Sequence, residues 1–101
     1  MTAPRRSVDM LPFTPVGSHV RNASLASAVT LTAPAGSSQL MIQATGQNVL
    51  LTLDGTTPTA SVGFTLFAGD PPSLVPISED TVVKAIQSAS GGSINYIFGG
   101  V

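Results

Sequence analysis

His19 is the single histidine of the chain, and there is no cysteine. A nucleophile–histidine–acid relay needs an imidazole held firmly between two partners. His19 instead lies in a segment punctuated by Pro12, Pro15 and Gly17, which favour extended, irregular backbone. Zinc sites draw several His and Cys ligands together at short spacing, and one histidine cannot supply them. The acids are Asp9, Asp54, Asp70, Glu79 and Asp80. Four of these fall in turn sequences (Asp54-Gly55, Gly69-Asp70-Pro71-Pro72 and Ser78-Glu79-Asp80), where short acidic side chains bind local backbone. Only Glu79 and Asp80 adjoin, and no spacing sets two carboxylates across a cleft as glycoside hydrolysis requires. The alternating acidic loop that calcium prefers is missing too, as are the glycine-rich phosphate motifs. The expectation is a protein that is not an enzyme and holds no cofactor and no metal.

The elements that carry these residues read as short strands. Ala28–Thr32, Gln39–Ala44, Val49–Leu53, Gly63–Ala68, Leu74–Ile77, Thr81–Gln87 and Ser93–Phe98 alternate apolar and polar positions, with Gly, Pro, Asn, Asp and Ser clusters between them. Pro76 cannot donate to a ladder, so its strand belongs at a sheet edge or stops there. Ser78-Glu79-Asp80 could cap a helix. The paired valines Val82-Val83 and the nearby Gly91-Gly92 favour a strand over 81–87 instead. Strands at roughly ten-residue spacing predict an all-β fold, a single β-sandwich of jelly-roll or immunoglobulin-like topology. Residues 1–22, with prolines at 4, 12 and 15 but apolar Met10, Leu11, Phe13 and Val16, predict an extended N-terminal arm lying along a surface. The domain then occupies 23–101.

Composition bounds the role. At 101 residues the chain fits one small domain, and small domains bury a lesser share of their surface than large ones. Charged residues make up 9%, against a usual ~25% in soluble proteins. A net charge of −1 offers little repulsion between copies and no basic footprint, so neither nucleic acid nor an anionic membrane is an expected partner. No apolar run approaches the ~20 residues that span a bilayer, and no apolar segment follows Arg5 and Arg6 to make a secretory signal.

Within the strands, one apolar face each is the core requirement of a sandwich. Met41, Leu50, Phe67, Val82 or Val83, and Ile97 fall on the opposite face. Spread over several strands, they predict a second buried surface against another subunit. Met41, Leu50 and Phe67 are the expected contact residues on the domain, and Leu11, Phe13 and Val16 the expected anchors on the arm.

The run Ile42–Leu66 (IQATGQNVLLTLDGTTPTASVGFTL), Ala68-Gly69-Asp70-Pro71-Pro72 and the closing Ser90–Gly99 (SGGSINYIFG) resemble small capsid-associated cement or decoration proteins of tailed bacteriophages. The resemblance covers about residues 30–100 and rests on turn chemistry and strand alternation. Leu50-Leu51 departs from it by being more apolar. It implies a virion structural protein on the capsid surface, with the major capsid protein and copies of itself, as dimer or trimer, for partners. Other head–tail or tail accessory proteins share these features. Thr52–Thr59 (TLDGTTPT) also resembles a turn of immunoglobulin-like modules appended to chitobiases, which implies an extracellular carbohydrate-binding module as the alternative. With no tryptophan and one tyrosine, the chain offers few rings to stack on sugars.

Overall fold

The computed structural model describes residues 13–59 and 61–100, which contain nine strands and no helix. The strands are β1 (Thr14–Pro15), β2 (Val20–Asn22), β3 (Val29–Leu31), β4 (Gln39–Thr45), β5 (Val49–Thr52), β6 (Phe64–Leu66), β7 (Ser73–Pro76), β8 (Val83–Gln87) and β9 (Ser93–Gly100). The seven strands expected from alternation are β3 to β9, each within about two residues of its expected start. Residues 81–87 contain a strand, as the valine pair indicated.

The pairing is nested. β5 pairs with β6, β4 with β7, β3 with β8, and β2 and β1 with β9, all antiparallel. Cross-pairs β4·β9 and β5·β8 then join these into two sheets, β1/β2-β9-β4-β7 and β3-β8-β5-β6. One long hairpin rolled up so that its successive strand pairs fall in opposite sheets is the jelly roll. Of the two topologies left open by the sequence, the strand order selects this one over the immunoglobulin arrangement.

The core lies between the sheets. β4 contributes Leu40, Ile42 and Ala44, β9 contributes Ile94 and Phe98, and β5 and β8 contribute Val49, Leu51, Val83 and Ala85 from the facing sheet. Leu25, fully buried, plugs the crossing from β2 to β3. Each large side chain buried this way contributes about 1.5–3 kcal/mol by area. Tyr96 and Phe98, two apart on β9 and so on one face, meet edge to face with centroids 5.8 Å apart.

Gly46 and Gly99 are among the glycines dictated by close approach. A Cβ on Gly46, which has φ 81°, would collide with the Gly91 carbonyl where the β4–β5 and β8–β9 turns cross. A Cβ on Gly99 would sit 2.5 Å from the Phe13 ring, so Phe13 packs against β9 at Gly99. The stretch from Phe13 to Asn22, expected as arm, thus runs along β9, with Thr14↔Gly100 and Val20↔Tyr96 in register. Pro76 ends β7, the edge strand of its sheet, as its missing N–H requires.

Candidate interaction surface

The groups that could do chemistry are dispersed. His19 Nε2 lies 3.3 Å from Asn95 Oδ1 at an exposed position. Asp54 accepts a hydrogen bond from the Thr56 amide at 3.0 Å, closing a local turn. The Thr56 hydroxyl and amide beside it hold the Asp54 carboxyl below its ordinary value. Glu79 Oε2 accepts from the Gly36 amide at 2.7 Å, tying two loops together. Burial pushes the Tyr96 phenol up. Among the described residues no three His, Cys, Asp or Glu side chains gather as metal ligands would.

Apolar surface is concentrated instead. β6 and β7 are the free edges of their sheets on one side of the sandwich, where Leu66 and Ser73 line a common crevice. On and beside these strands Phe64 is 70% exposed and Phe67 55%, with Val62 and Leu74 also open. Phe64 stands opposite Leu51 in the β5·β6 register, so both point to the core face. Leu51 is buried and Phe64 is not, because β6 has a strand neighbour on one side only and its first residue overhangs the core. Beside the Phe64 ring opens a depression of about 500 Å³, bounded by Leu51, Leu53, Val62 and Phe64, with Asp54 and Thr56 on its wall.

Comparison with protein-family models, curated proteins and solved structures found no match to this chain.

The residues singled out from sequence divide into three groups. Met41 and Phe67 stand away from the core. Met41 is half-buried on the outer face of β4, flanked in register by Leu74 on β7 and Ile97 on β9. These three form a cross-strand apolar row, the kind of pairing by which side chains stabilise a sheet along one face. Phe67 is open just beyond β6.

Leu50 corrects the expectation of an exposed contact. It does alternate away from the core residues Val49 and Leu51, yet it is only 6% exposed. The connection from Leu53 to Gly63 folds back against this outer face. Thr52, also outward, donates its hydroxyl to the Thr56 carbonyl, and Gly63 comes so close that a Cβ there would be 3.1 Å from the Leu50 Cβ. Pro58 in the same loop is fully buried. Leu50 therefore belongs to a small second core under its own loop. The Val82/Val83 ambiguity resolves the same way, by register: Val83 faces Leu31 in the core and Val82 is open.

The arm residues form the third group. Phe13 and Val16 are half-buried, Phe13 on Gly99 and Val16 with its amide donating to the Phe98 carbonyl at 2.9 Å. Leu11 lies outside the described residues. Sequence reasoning missed Phe64 and Val62 as surface residues. Phe64 alternates with the core set, and alternation assigns a face without saying how far the opposite sheet extends.

Proposed function

We propose that this chain is a non-enzymatic structural subunit of a tailed-phage virion, a cement or decoration protein that binds the outer surface of the head and bridges subunits of the major capsid protein. The observation that carries the proposal is the exposure of four large apolar side chains, Phe64, Phe67, Val62 and Leu74, on and beside the edge strands β6 and β7. Large apolar side chains left open at two sheet edges support an interface there. The low charge of the sequence supports the same conclusion. Jelly rolls serve in viral capsids but also in lectins and cupins, so the fold supports a module class. The sequence resemblance is what singles out the virion among them. A head–tail or tail accessory would use the same surface, and differs only in where on the particle it sits.

The experiment is co-sedimentation of the purified chain with preassembled head shells. Saturable binding that raises the melting temperature of the shells is the expected result, reduced at least tenfold in affinity by Phe67→Asp with the fold of the free chain intact. Absence of the chain from purified particles, or binding that Phe67→Asp leaves unchanged, would overturn it.

A further inference from the structure

We propose that residues 1–12 of one copy of this chain dock into the depression beside Phe64 of a neighbouring copy, placing Met10 and Leu11 against Leu51, Val62 and Phe64 and bringing Arg5 or Arg6 to Asp54. The contact rests on the proposal above that the chain assembles, and it names a second copy as partner and residues 1–12 as the docking segment.

Charge is the first ground. Of the four cationic side chains, Arg5 and Arg6 lie in residues 1–12, which carry a net +1, while residues 13–101 carry −2. The segment and the body are complementary. The depression is apolar except for its wall, where the Asp54 carboxylate is exposed and can meet a guanidinium. In residues 1–12 the apolar pair Met10-Leu11 follows the Arg pair by four to six positions. In extended chain that separation is about 13–20 Å, enough to straddle the rim of a depression that spans a few residues of β5 and β6.

The second ground is where the segment starts. β1 pairs Thr14 with Gly100, and Gln39 of β4 pairs with Gly99. The β4–β5 turn puts Gln39 and Thr52 at one end of the sandwich, so Phe13 and the Leu53–Gly63 loop share that end. They do not share a side. Phe13 lies over β9 on the outer face of one sheet, whereas the depression opens at β5 and β6 of the other. Packed sheets are about 10 Å apart and neighbouring strands about 4.8 Å. Leu11 is two residues from Phe13 and reaches at most about 7 Å from it, and Met10 about 11 Å. That backbone reach is shorter than the path around both sheets, which favours the depression of a second copy over that of the same molecule. A second copy is free to bring its depression within that reach. Donor and acceptor lie on different surfaces, so the contact is head to tail, and it closes a ring or propagates along a lattice according to the rotation between copies.

The test uses full-length chains in sedimentation velocity over a wide concentration range. The unsubstituted chain should self-associate. Leu11→Asp, which spoils the segment, and Phe64→Ser, which spoils the depression, should each weaken association at least tenfold while keeping the parent melting temperature. Mixed together, the two variants should form a one-to-one dimer and stop, because one good segment and one good depression remain. Val62→Ser replaces Phe64→Ser should the latter not fold. Overturning results are a chain that stays monomeric at every concentration, a Leu11→Asp variant that associates like the parent, or a mixture that forms no dimer. Association lost in Phe64→Ser but kept in Leu11→Asp would mean that β6 edges pair directly, and would also overturn the contact. Binding to head shells separates this from the lattice proposal. A monomer that still binds shells sinks only the segment contact, and an oligomer that ignores them sinks only the lattice assignment.

Discussion

The outer faces of the two sheets carry the same sequence signal and meet opposite fates. On one, Met41, Leu74 and Ile97 form a row left open or half-open. On the other, Leu50 and Thr52 point outward just as Met41 does, yet are 6% exposed each, under the loop from Leu53 to Gly63. An apolar residue on the wrong face of a strand therefore signals a second buried surface without saying whose. The chain's own connection supplies the cover in one case. In the other, the described residues leave the row open or half-open. What separates them is loop length. β4 and β5 are joined by Gly46–Asn48, too short to cover anything, while β5 and β6 are joined by eleven residues that can fold back.

Leu50 offers the largest effect by which to break the comparison. If it is a core residue of a second layer, Leu50→Ala should cost about 2–4 kcal/mol, in the range of other buried leucine truncations. In a domain of this size that lowers the melting temperature by roughly 10–25 °C. A loss below about 1 kcal/mol would mean that the loop does not seal this face, and Leu50 would rejoin the open residues. Chemical denaturation with an unchanged slope is the measurement.

Gly63 comes next, because it is where the covering loop returns to the sheet. Its φ of 135° is one that side chains rarely adopt, and a Cβ would press on Leu50 and on the Leu51 backbone at 3.1 Å. Gly63→Ala should cost about 1–3 kcal/mol from backbone strain and crowding together. Protection of the Leu50 and Leu51 amides from hydrogen exchange should fall with it. An alanine accepted without loss would show that the loop sits further from the sheet than a sealed layer allows.

Met41 sharpens the other half. Met41→Ser removes part of a half-buried side chain from an open row, so it should cost less than about 1 kcal/mol in the isolated chain. Leu50→Ala and Met41→Ser thus differ severalfold although both residues alternate outward from a core strand. Comparable losses would erase the distinction between the faces.

Much of the fold was legible for a physical reason. β3 to β9 make up most of the two sheets, and a strand that turns one face to the core between them must alternate. β1 and β2 were not, because Thr14–Pro15 and Val20–Asn22 owe their conformation to the hydrogen-bonding edge of β9 rather than to any pattern of their own. Both are exposed strands with no core face to declare them. The nesting that makes the fold a jelly roll depends on which strands pair, and that is written in long-range register, which local alternation does not carry. Of the surface residues, Phe67 could be read as outward because it alternates against Phe64 and Leu66. Phe64 could not, since its fate depends on the overhang of an edge strand. Leu50 was placed on its proper face and then hidden by a turn whose Asp54-Gly55 and Pro58 signalled a reversal without signalling where the loop would lie.

Asp54 gives the smallest effect and tests the anchoring of that loop. Its carboxylate accepts from the Thr56 hydroxyl and amide, and this holds its pKa below the ordinary value of 3.8. A carboxyl with a depressed value in the folded state binds its proton more readily when unfolded. The contribution to stability is therefore complete above the unfolded value and disappears as the pH falls through the folded one. The group is fully exposed, so the dependence should be shallow. Asp54→Asn keeps an acceptor for the turn but removes the ionisation. The gap in melting temperature between the parent and Asp54→Asn should be constant from neutrality down to the ordinary carboxylate range and close below it. A gap that widens in acid would have the wrong sign for a carboxylate stabilised by these donors. The covering loop would then be held by something other than the Asp54–Thr56 turn, leaving Thr52 and Gly63 as its remaining attachments.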